Sequence, residues 1–256
     1  MPATLDGHLG FDRTISAKYH ARIPYDPAFF VDVIDRSGLT KFDRLLDLCT
    51  GQGEIAAQLT DHFSQIHAVD GSAEMLKYAP DLPNVTYEVA DVNSPDWLQT
   101  TADTQYDAIC VGRGVHWLSD RSLAHLFTNS LAPGGAFFAF QCDPDFSNPW
   151  MKPLMRLMNA FSGKSLDLKD YSFAGRAPSA VMETTQVHYA IAERHYPWER
   201  LANIPLSFSK TGHEVAARSE DYMKMCERLF KPLIVDGVVP TKVLFQCQFA
   251  RKKAGV

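Results

Sequence analysis

The stretch from Arg44 to Gly53 constrains the fold of this chain most strongly, because it joins a short apolar run to a glycine turn. The three leucines of R-L-L-D-L predict a strand that is buried on both faces. Gly51 and Gly53 allow a tight turn and let a ligand approach the backbone closely. Apolar residues then recur at three- and four-residue steps as far as Phe63, which predicts an amphipathic helix. In an open α/β sheet, such a turn lies at the carboxyl end of a strand, where ligands bind.

A second strand and turn follow, and they help to distinguish a ligand-binding site from an ordinary strand-to-helix connection. Residues 66–69 predict a short strand that ends in Asp70. Asp70 lies about 20 positions after Asp47, the offset at which a carboxylate accepts hydrogen bonds from ribose hydroxyls. The alternative is that Asp70 only caps the next helix, a role for which Ser72 is equally suited.

The charges around the glycine turn bear on the kind of ligand. A dinucleotide site requires G-x-G-x-x-G, with the pyrophosphate held at a helix N-terminus. Here Asp47 precedes the turn and Glu54 follows it, and two carboxylates would repel a pyrophosphate. They suit a ligand with a cationic amine and a sulfonium. At this point the chain resembles the class I S-adenosylmethionine-dependent methyltransferases, and the resemblance covers residues 11–141.

Five motifs in order carry this resemblance. They read L-L-D-L-C-T-G-Q-G, A-V-D-G-S-A-E-M-L, V-T-Y-E-V-A-D-V-N, Y-D-A-I-C-V-G-R-G-V-H-W-L and L-A-P-G-G-A-F-F-A-F. Cys49 stands where the first motif of the family has its first glycine. The resemblance implies cofactor contacts for Asp47, Cys49, Gly51, Gly53, Asp70, Gly71, Met75, Asp91, Val92, Gly112 and Arg113. Among these residues, the resemblance implies that Asp70 binds the ribose and Asp91 binds the adenine amine. It also implies that Met75 and Val92 contact the adenine ring.

The segment from Phe11 to Tyr25, here called the lid, is predicted to cover the cofactor. It is similar to the Y-x-x-R-P-x-Y stretch of the trans-aconitate methyltransferase-like branch, with Ile23 in place of the proline. Tyr19 and Arg22 fall on the family's lid positions, and the planar guanidinium of Arg22 could clamp a cofactor carboxylate. The alternative places Arg22 on the surface and packs Tyr19 on the core.

The fourth motif supplies a candidate catalytic group. His116 is the only histidine that this motif places at the carboxyl end of a strand, where it could accept a proton from an acceptor hydroxyl or amine. The alternative is a structural His-Trp pair whose indole walls a pocket. Trp117, Arg113 and Met155 are predicted to line the substrate pocket, with Met155 on a Met-rich helix.

Composition and net charge limit the classes of partner that the chain is expected to bind. With 256 residues, of which 46% are hydrophobic, the chain can bury the core of one domain. The net charge of −5 disfavours nucleic acid and anionic membranes as partners. The chain has no apolar stretch that could span a membrane and no signal-peptide core. Five scattered cysteines without metal spacing indicate a reducing, cytoplasmic location and predict no metal site.

The predicted fold is α/β: a Rossmann-like, doubly wound sheet of seven strands with an N-terminal helical lid and a cap after strand five. The last strand is expected to lie antiparallel at the sheet edge. One methyltransferase domain is expected over residues 1–256. It divides into the lid with the first helix (1–37), the cofactor-binding core (38–142), the substrate cap (143–180) and the C-terminal part of the core (181–256). Arg156, Arg176 and Arg218, in the cap and the C-terminal half, are interpreted as surface charges, and the alternative is that they clamp a ligand.

The resemblance implies methyl transfer from S-adenosyl-L-methionine to a small molecule, with S-adenosyl-L-homocysteine as the product. The acceptor atom is oxygen, nitrogen or carbon, and carboxylate-bearing metabolites are among the candidate acceptors. Two alternatives stay open at this stage: a protein of the same fold that binds the cofactor without methylating, and a methyltransferase for protein or RNA. The sequence does not indicate an oligomeric state.

Overall fold

The computed structural model describes residues 11–164 and 173–255. In these residues the strands are β1 (Arg44–Leu48), β2 (Gln65–Asp70), β3 (Val85–Val89), β4 (Tyr106–Gly112), β5 (Leu131–Pro144), β6 (Gln186–Tyr196) and β7 (Val239–Arg251). The α-helices are α1 (Arg13–Ser16), α2 (Pro27–Ser37), α3 (Glu54–Gln58), α4 (Ala73–Leu76), α5 (Pro95–Ala102), α6 (Asp120–His125), α7 (Met151–Ser162), α8 (Trp198–Asn203), α9 (Gly212–Ala216) and α10 (Ser219–Phe230). Residues 1–10 and 165–172, which the sequence assigns to the N-terminal segment and the cap, lie outside the described residues.

The seven strands form one sheet in the order β3-β2-β1-β4-β5-β7-β6. Strands β1 to β5 pair in parallel, and β7 runs antiparallel to both of its neighbours. The leucines of β1 and every residue of β4 except Gly112 are buried, because helices cover both faces of the sheet there. This architecture confirms the predicted doubly wound sheet.

One expectation about the sheet is wrong. Strand β7 is antiparallel as predicted, but it lies between β5 and β6 and leaves β6 at the edge. The burial of the side chains of β6 and β7 explains this order. Most side chains of β7 are buried, whereas β6 alternates between exposed and half-buried positions. The more apolar strand therefore takes the inner position, where both of its edges are hydrogen-bonded.

Two helical segments are irregular. Helices α9 and α10 are separated by Ala217 and Arg218. Helix α6 ends at His125 and continues as a π-helical turn over Leu126–Ser130. The buried Lys252 donates from Nζ to the carbonyls of Thr128 and Leu131 at 2.7 and 2.8 Å, which satisfies backbone oxygens at that end.

Helices α7 to α10 form a layer that reaches the lid. Trp150, Leu154 and Met158, at the start of and within α7, belong to the same buried cluster as Tyr222 of α10. Arg200 of α8 donates to the carbonyl of Arg22 at 2.7 Å, which ties this layer to the lid. The lid therefore packs against the segment between β6 and β7 as well as against the sheet. None of the described helices is long and apolar enough to cross a membrane.

Candidate functional site

The turn after β1 contains three residues in the left-handed region. Cys49, Gly51 and Gly53 have φ values of 52°, 62° and 75°. A Cβ atom at Gly53 would lie 2.8 Å from the hydroxyl oxygen of Tyr87, so only glycine fits there. A Cβ atom at Gly51 would lie 3.1 Å from the terminal methyl of Met75. Cys49 adopts the same backbone region with a side chain, which strains the backbone at the first position of the turn.

The carboxylates of Asp47 and Asp70, at the ends of β1 and β2, hold this turn in place. Asp47 is fully buried and accepts hydrogen bonds from the Thr50 hydroxyl at 2.6 Å and from the Cys110 thiol at 3.3 Å. Burial raises the pKa of Asp47 to about 6, although the hydrogen bonds from Thr50 and Cys110 oppose that shift. The carboxylates of Asp47 and Asp70 also raise the pKa of the Cys49 thiol, after the larger effect of its burial.

Asp70 connects the turns that follow β1 and β2. Its carboxylate accepts the backbone N–H of Gly51 at 2.8 Å and that of Ser72 at 2.8 Å. The N-cap of α4 is Ser72, whose hydroxyl oxygen accepts the N–H of Met75 at 3.2 Å. Asp70 therefore does more than cap the next helix. It fixes the glycine turn relative to Gly71 and α4.

The turn after β3 brings Asp91 and Val92 to the same edge of the sheet. The Asp91 carboxylate accepts the N–H of Asn93 at 2.9 Å, and Val92 is buried. The Asn93 amide donates to the Trp117 carbonyl at 2.9 Å. This bond links the turn after β3 with the turn after β4.

Arg113 is buried in the turn after β4, and it contacts the lid. Its Nε donates to the Cys142 carbonyl at 2.9 Å, and its Nη2 donates to the carbonyl of Ile23. Its guanidinium carbon lies 4.5 Å from the centre of the Tyr25 ring, and its Nη1 lies 3.8 Å from the Glu54 carboxylate. Glu54 in turn accepts the N–H of Tyr25 at 2.7 Å. Arg113 thus fastens the end of the lid to the carboxyl ends of β4 and β5.

His116 and Trp117 lie on the 3-10 turn Val115–Trp117 that follows. Both side chains are half-buried, and their ring centroids are 4.9 Å apart. Arg176 donates to the carbonyls of Val115 and Leu118 and pairs with Asp120 at 2.7 Å. The guanidinium of Arg176, about one quarter exposed, therefore braces both ends of the turn that carries His116.

The lid lies directly over the first glycine turn. The carbonyl of Phe11 accepts the Ser72 hydroxyl at 2.8 Å, and the carbonyl of Ser16 accepts the Gln52 amide at 2.7 Å. The Tyr19 ring lies within 4 Å of the position that a Cβ atom on Gly51 would occupy. The Phe11 ring packs edge-on against Trp117, with centroids 6.4 Å apart. The lid therefore contacts the turns after β1, β2 and β4.

Arg22 lies in the lid but points to the helical layer. Its Nε donates to the Ser207 hydroxyl at 2.8 Å, and its Nη2 donates to the Ser207 carbonyl at 3.3 Å. The guanidinium lies over the rings of Tyr19 and Phe208. In these contacts Arg22 supports Tyr19 from behind. Its role toward a cofactor carboxylate stays a prediction.

Between the lid and the strand ends lies a small cleft. It is lined by Tyr19, Tyr25, Asp47, Cys49, Thr50, Glu54, Ile55, Gly112 and Arg113. Five of these residues were predicted as site residues from the sequence. Sequence reasoning assigned no role to Tyr25, Thr50 and Ile55, although Tyr25 ends the lid stretch and Thr50 lies within the first motif. Arg22 and Met155 are not among the lining residues, and Met155 is half-buried on α7.

Comparison with known proteins agrees with this geometry. Residues 45–135 match a family model described as a methyltransferase domain. Over 141 residues the chain is 28% identical to the ubiquinone/menaquinone biosynthesis C-methyltransferase UbiE of Serratia proteamaculans, covering 50% of this chain and 53% of that protein. The chain spans about half the length, or less, of the curated relatives it matches.

Solved structures share the fold over most of the chain. A protein of Anaeromyxobacter dehalogenans, provisionally named a type II methyltransferase, superposes with a TM-score of 0.62 at 18% identity and covers 91% of this chain and 98% of its own. Phosphoethanolamine N-methyltransferase 2 of Haemonchus contortus, solved with S-adenosyl-L-methionine, superposes with a TM-score of 0.52 at 17% identity. This superposition covers 97% of this chain and 59% of that chain. The narrower likeness to the trans-aconitate branch stays a prediction. Residues 45–135 therefore match a methyltransferase domain, and the strand order and fold of the chain are those of the methyltransferase structures with which it superposes.

Proposed function

We propose that the protein transfers a methyl group from S-adenosyl-L-methionine to a small-molecule acceptor. The observation that carries this proposal is the glycine turn between β1 and α3, with carboxylates beside it and the lid above it. Backbone in the left-handed region at Gly51 and Gly53 permits close approach of a ligand to the main chain. The likeness to UbiE and to the other methyltransferases supports the same reaction class.

The residues present fit this cofactor in their chemistry. Asp70 uses both carboxylate oxygens for backbone N–H groups, yet a carboxylate offers about four acceptor positions, so ribose hydroxyls can also be bound. Met75 and Val92 supply apolar surface for a planar base. Asp47 and Glu54 give the cleft a negative potential, which favours a ligand carrying a sulfonium and an amine. When bound, the cofactor supplies a methyl group on a positively charged sulfur, open to attack by an electron pair.

The contribution of the chain to this reaction is chiefly alignment and exclusion of water. Positioning of two reactants can lower a barrier by several kcal/mol, and the contacts of Phe11, Ser16 and Tyr25 hold the lid over the cleft for that purpose. His116 is proposed as the group that accepts the acceptor's proton, since it lies half-buried in the turn after β4. Trp117 beside it is proposed as a wall of the acceptor pocket.

A small acceptor is favoured by how the cleft is covered. The lid closes it on one side, and the layer of α7 to α10 stands behind the lid, so a folded protein or an RNA helix has no evident approach. A net charge of −5 also disfavours RNA. Both Arg22 and Arg113 already donate to oxygens of the protein, so they do not favour a carboxylate-bearing acceptor over a neutral one.

Cofactor binding is tested by calorimetry with S-adenosyl-L-methionine and S-adenosyl-L-homocysteine. Wild-type protein should bind both, and Tyr19→Ala should weaken binding because the Tyr19 ring lies beside Gly51. His20→Ala, an exposed neighbour in the lid, is the matched control and should bind as wild type does. Absence of binding by the wild-type protein would remove the basis of the proposal.

The acceptor class is tested with cofactor labelled at the methyl group and a cell extract divided by a size filter. Label should pass to the small-molecule fraction. Label in protein or RNA instead would overturn the proposed acceptor class, and binding without transfer to any fraction would indicate a cofactor-binding protein that does not methylate.

Once the acceptor is identified, His116→Ala should lower turnover while leaving cofactor affinity unchanged. Near-normal turnover of this variant would leave His116 only the structural role beside Trp117.

A further inference from the structure

The edge strand β6 presents a row of exposed apolar side chains. Val187, Tyr189 and Ile191 are 55%, 66% and 57% exposed, and they alternate along one face of the strand. On the other face, His188 stacks on Phe29 of α2 and is covered. Within the described residues, β6 pairs with β7 on one side only, so its other edge is unpaired over 11 residues.

An unpaired edge of this length is uncommon in a protein that stays monomeric. Strands usually have about five or six residues, and exposed edge strands are commonly shortened or protected by lysine, proline or a bulge. From Gln186 to Ala192, β6 contains no lysine, proline or acidic residue, and its register with β7 is continuous. The first charged side chain in the exposed row is that of Glu193.

The row is self-complementary under a two-fold axis. If two copies of β6 pair antiparallel with Tyr189 opposite Tyr189, then Val187 lies opposite Ile191 of the second copy, and Ile191 lies opposite its Val187. All six apolar side chains then form one continuous strip on the shared face. Shifting the centre to Ile191 would place Tyr189 opposite Glu193, and shifting it to Ala190 would place Val187 opposite Glu193. Shifting it to His188 would place Ile191 opposite Thr185. Of these registers, only the one centred on Tyr189 pairs all six apolar side chains with one another and leaves the Glu193 carboxylate outside the strip.

We propose that β6 is a homodimer interface, in which a second copy of this chain pairs with it antiparallel about Tyr189. The two seven-stranded sheets then continue as one, which satisfies the free backbone groups of both edges and buries the apolar rows. The proposal depends on β6 alone and is independent of the proposed function, because β6 and the cleft lie on different parts of the sheet.

Single cysteine variants test both the pairing and its register. Residues directly opposite in an antiparallel pair have Cα atoms about 4.5–5.5 Å apart, within the range of a disulfide. Tyr189→Cys should therefore form a covalent dimer under mild oxidation. Ile191→Cys alone should not, because the two copies of residue 191 would be about 13 Å apart along the strands. A mixture of Val187→Cys and Ile191→Cys proteins should cross-link with each other.

Light scattering during gel filtration tests the dimer itself. The wild-type chain should have the mass of a dimer, and Ile191→Lys should have the mass of a monomer with an unchanged far-UV circular dichroism spectrum. Val235→Lys is the matched control, since Val235 is 56% exposed and lies outside β6, and it should remain dimeric. A monomeric wild-type chain would overturn the interface. Efficient cross-linking through Ile191→Cys alone would overturn the register.

Discussion

Two neighbouring turns of this molecule are held in place by opposite chemistry. The turn after β1, residues 49–53, is held by carboxylates that accept hydrogen bonds from its N–H and hydroxyl groups. The turn after β4, residues 112–118, is held by Arg113 and Arg176, which donate to backbone carbonyls. Because β1 pairs with β4, the two turns lie side by side at the cleft.

The difference lies in where the supporting groups come from. Asp47 and Asp70 belong to the strands that lead into the first two turns, so this support is local to the strand ends. The turn after β4 is tied to the lid through Ile23 and to the cap through Arg176. The carboxylate support of the first turn is therefore local to the strand ends, whereas the arginine support of the second turn reaches segments far away in the chain. Each of the following substitutions tests that contrast.

The largest effect is expected for Arg113→Met. The substitution leaves the carbonyls of Ile23 and Cys142 without their charged donor. A buried acceptor that loses its donor costs about 1–3 kcal/mol, so the two carbonyls together cost about 2–6 kcal/mol. Urea denaturation should show a loss of free energy of unfolding in this range. Arg36→Ala, which breaks an exposed ion pair with Asp32, should leave the free energy of unfolding close to that of the wild type. Equal effects of the two variants would show that Arg113 does not fasten the lid.

Asp47→Asn tests the acidic support of the first turn through pH. The pKa of Asp47 is raised in the folded state, so the folded protein binds this proton more tightly than the unfolded chain does. The stabilisation from the protonated form is complete below pH 4 and is lost as pH rises to about 6. At roughly 1.4 kcal/mol per pKa unit, this amounts to about 3 kcal/mol.

The measurement is the free energy of unfolding from pH 4 to pH 7. In Asp47→Asn the decline between pH 4 and pH 6 should be smaller than in the wild type, whereas Asp61→Asn, at an exposed position, should leave it unchanged. Affinity for the cationic S-adenosyl-L-methionine should rise with pH over the same interval in the wild type, as Asp47 ionises. A pH profile of Asp47→Asn identical to that of the wild type would contradict the assigned burial effect.

The same contrast explains what could be predicted from the sequence. The strand β1, its glycine turn and the places of Asp47 and Asp70 at the strand ends follow from patterns within about 30 residues. The hydrogen bonds by which these two carboxylates hold the turn were not predicted. The partners of Arg113 lie 90 and 29 positions away in the chain, and its side chain could not be assigned without the fold. The position of β7 between β5 and β6 is likewise a property of tertiary packing, since its alternating pattern would also suit an edge strand.

Arg176→Ala should loosen the second turn without affecting the first. Hydrogen bonds from a charged donor contribute about 1.5–3 kcal/mol, and the Arg176 side chain is about one quarter exposed, so a loss of about 1–2 kcal/mol is expected. Hydrogen exchange should become on the order of tenfold faster in residues 115–119 and stay unchanged in residues 49–53. Arg176→Lys should recover part of the protection. Faster exchange in both turns would show that the two turns form one cooperative unit and are not supported separately.

The smallest effect concerns Cys49, the residue at which the first turn departs from the glycine expected there. Its φ of 52° costs about 1 kcal/mol for a residue with a Cβ atom. Cys49→Gly removes this strain but adds freedom to the unfolded chain, so we expect a net stabilisation of about 0.5 kcal/mol in thermal denaturation. Cys49→Ala keeps the Cβ atom and should bring no gain. If alanine and glycine stabilise equally, the strain belongs to the thiol and the backbone of the first turn is relaxed. If only glycine stabilises, the strain belongs to a Cβ atom in the left-handed region at the first position of this turn.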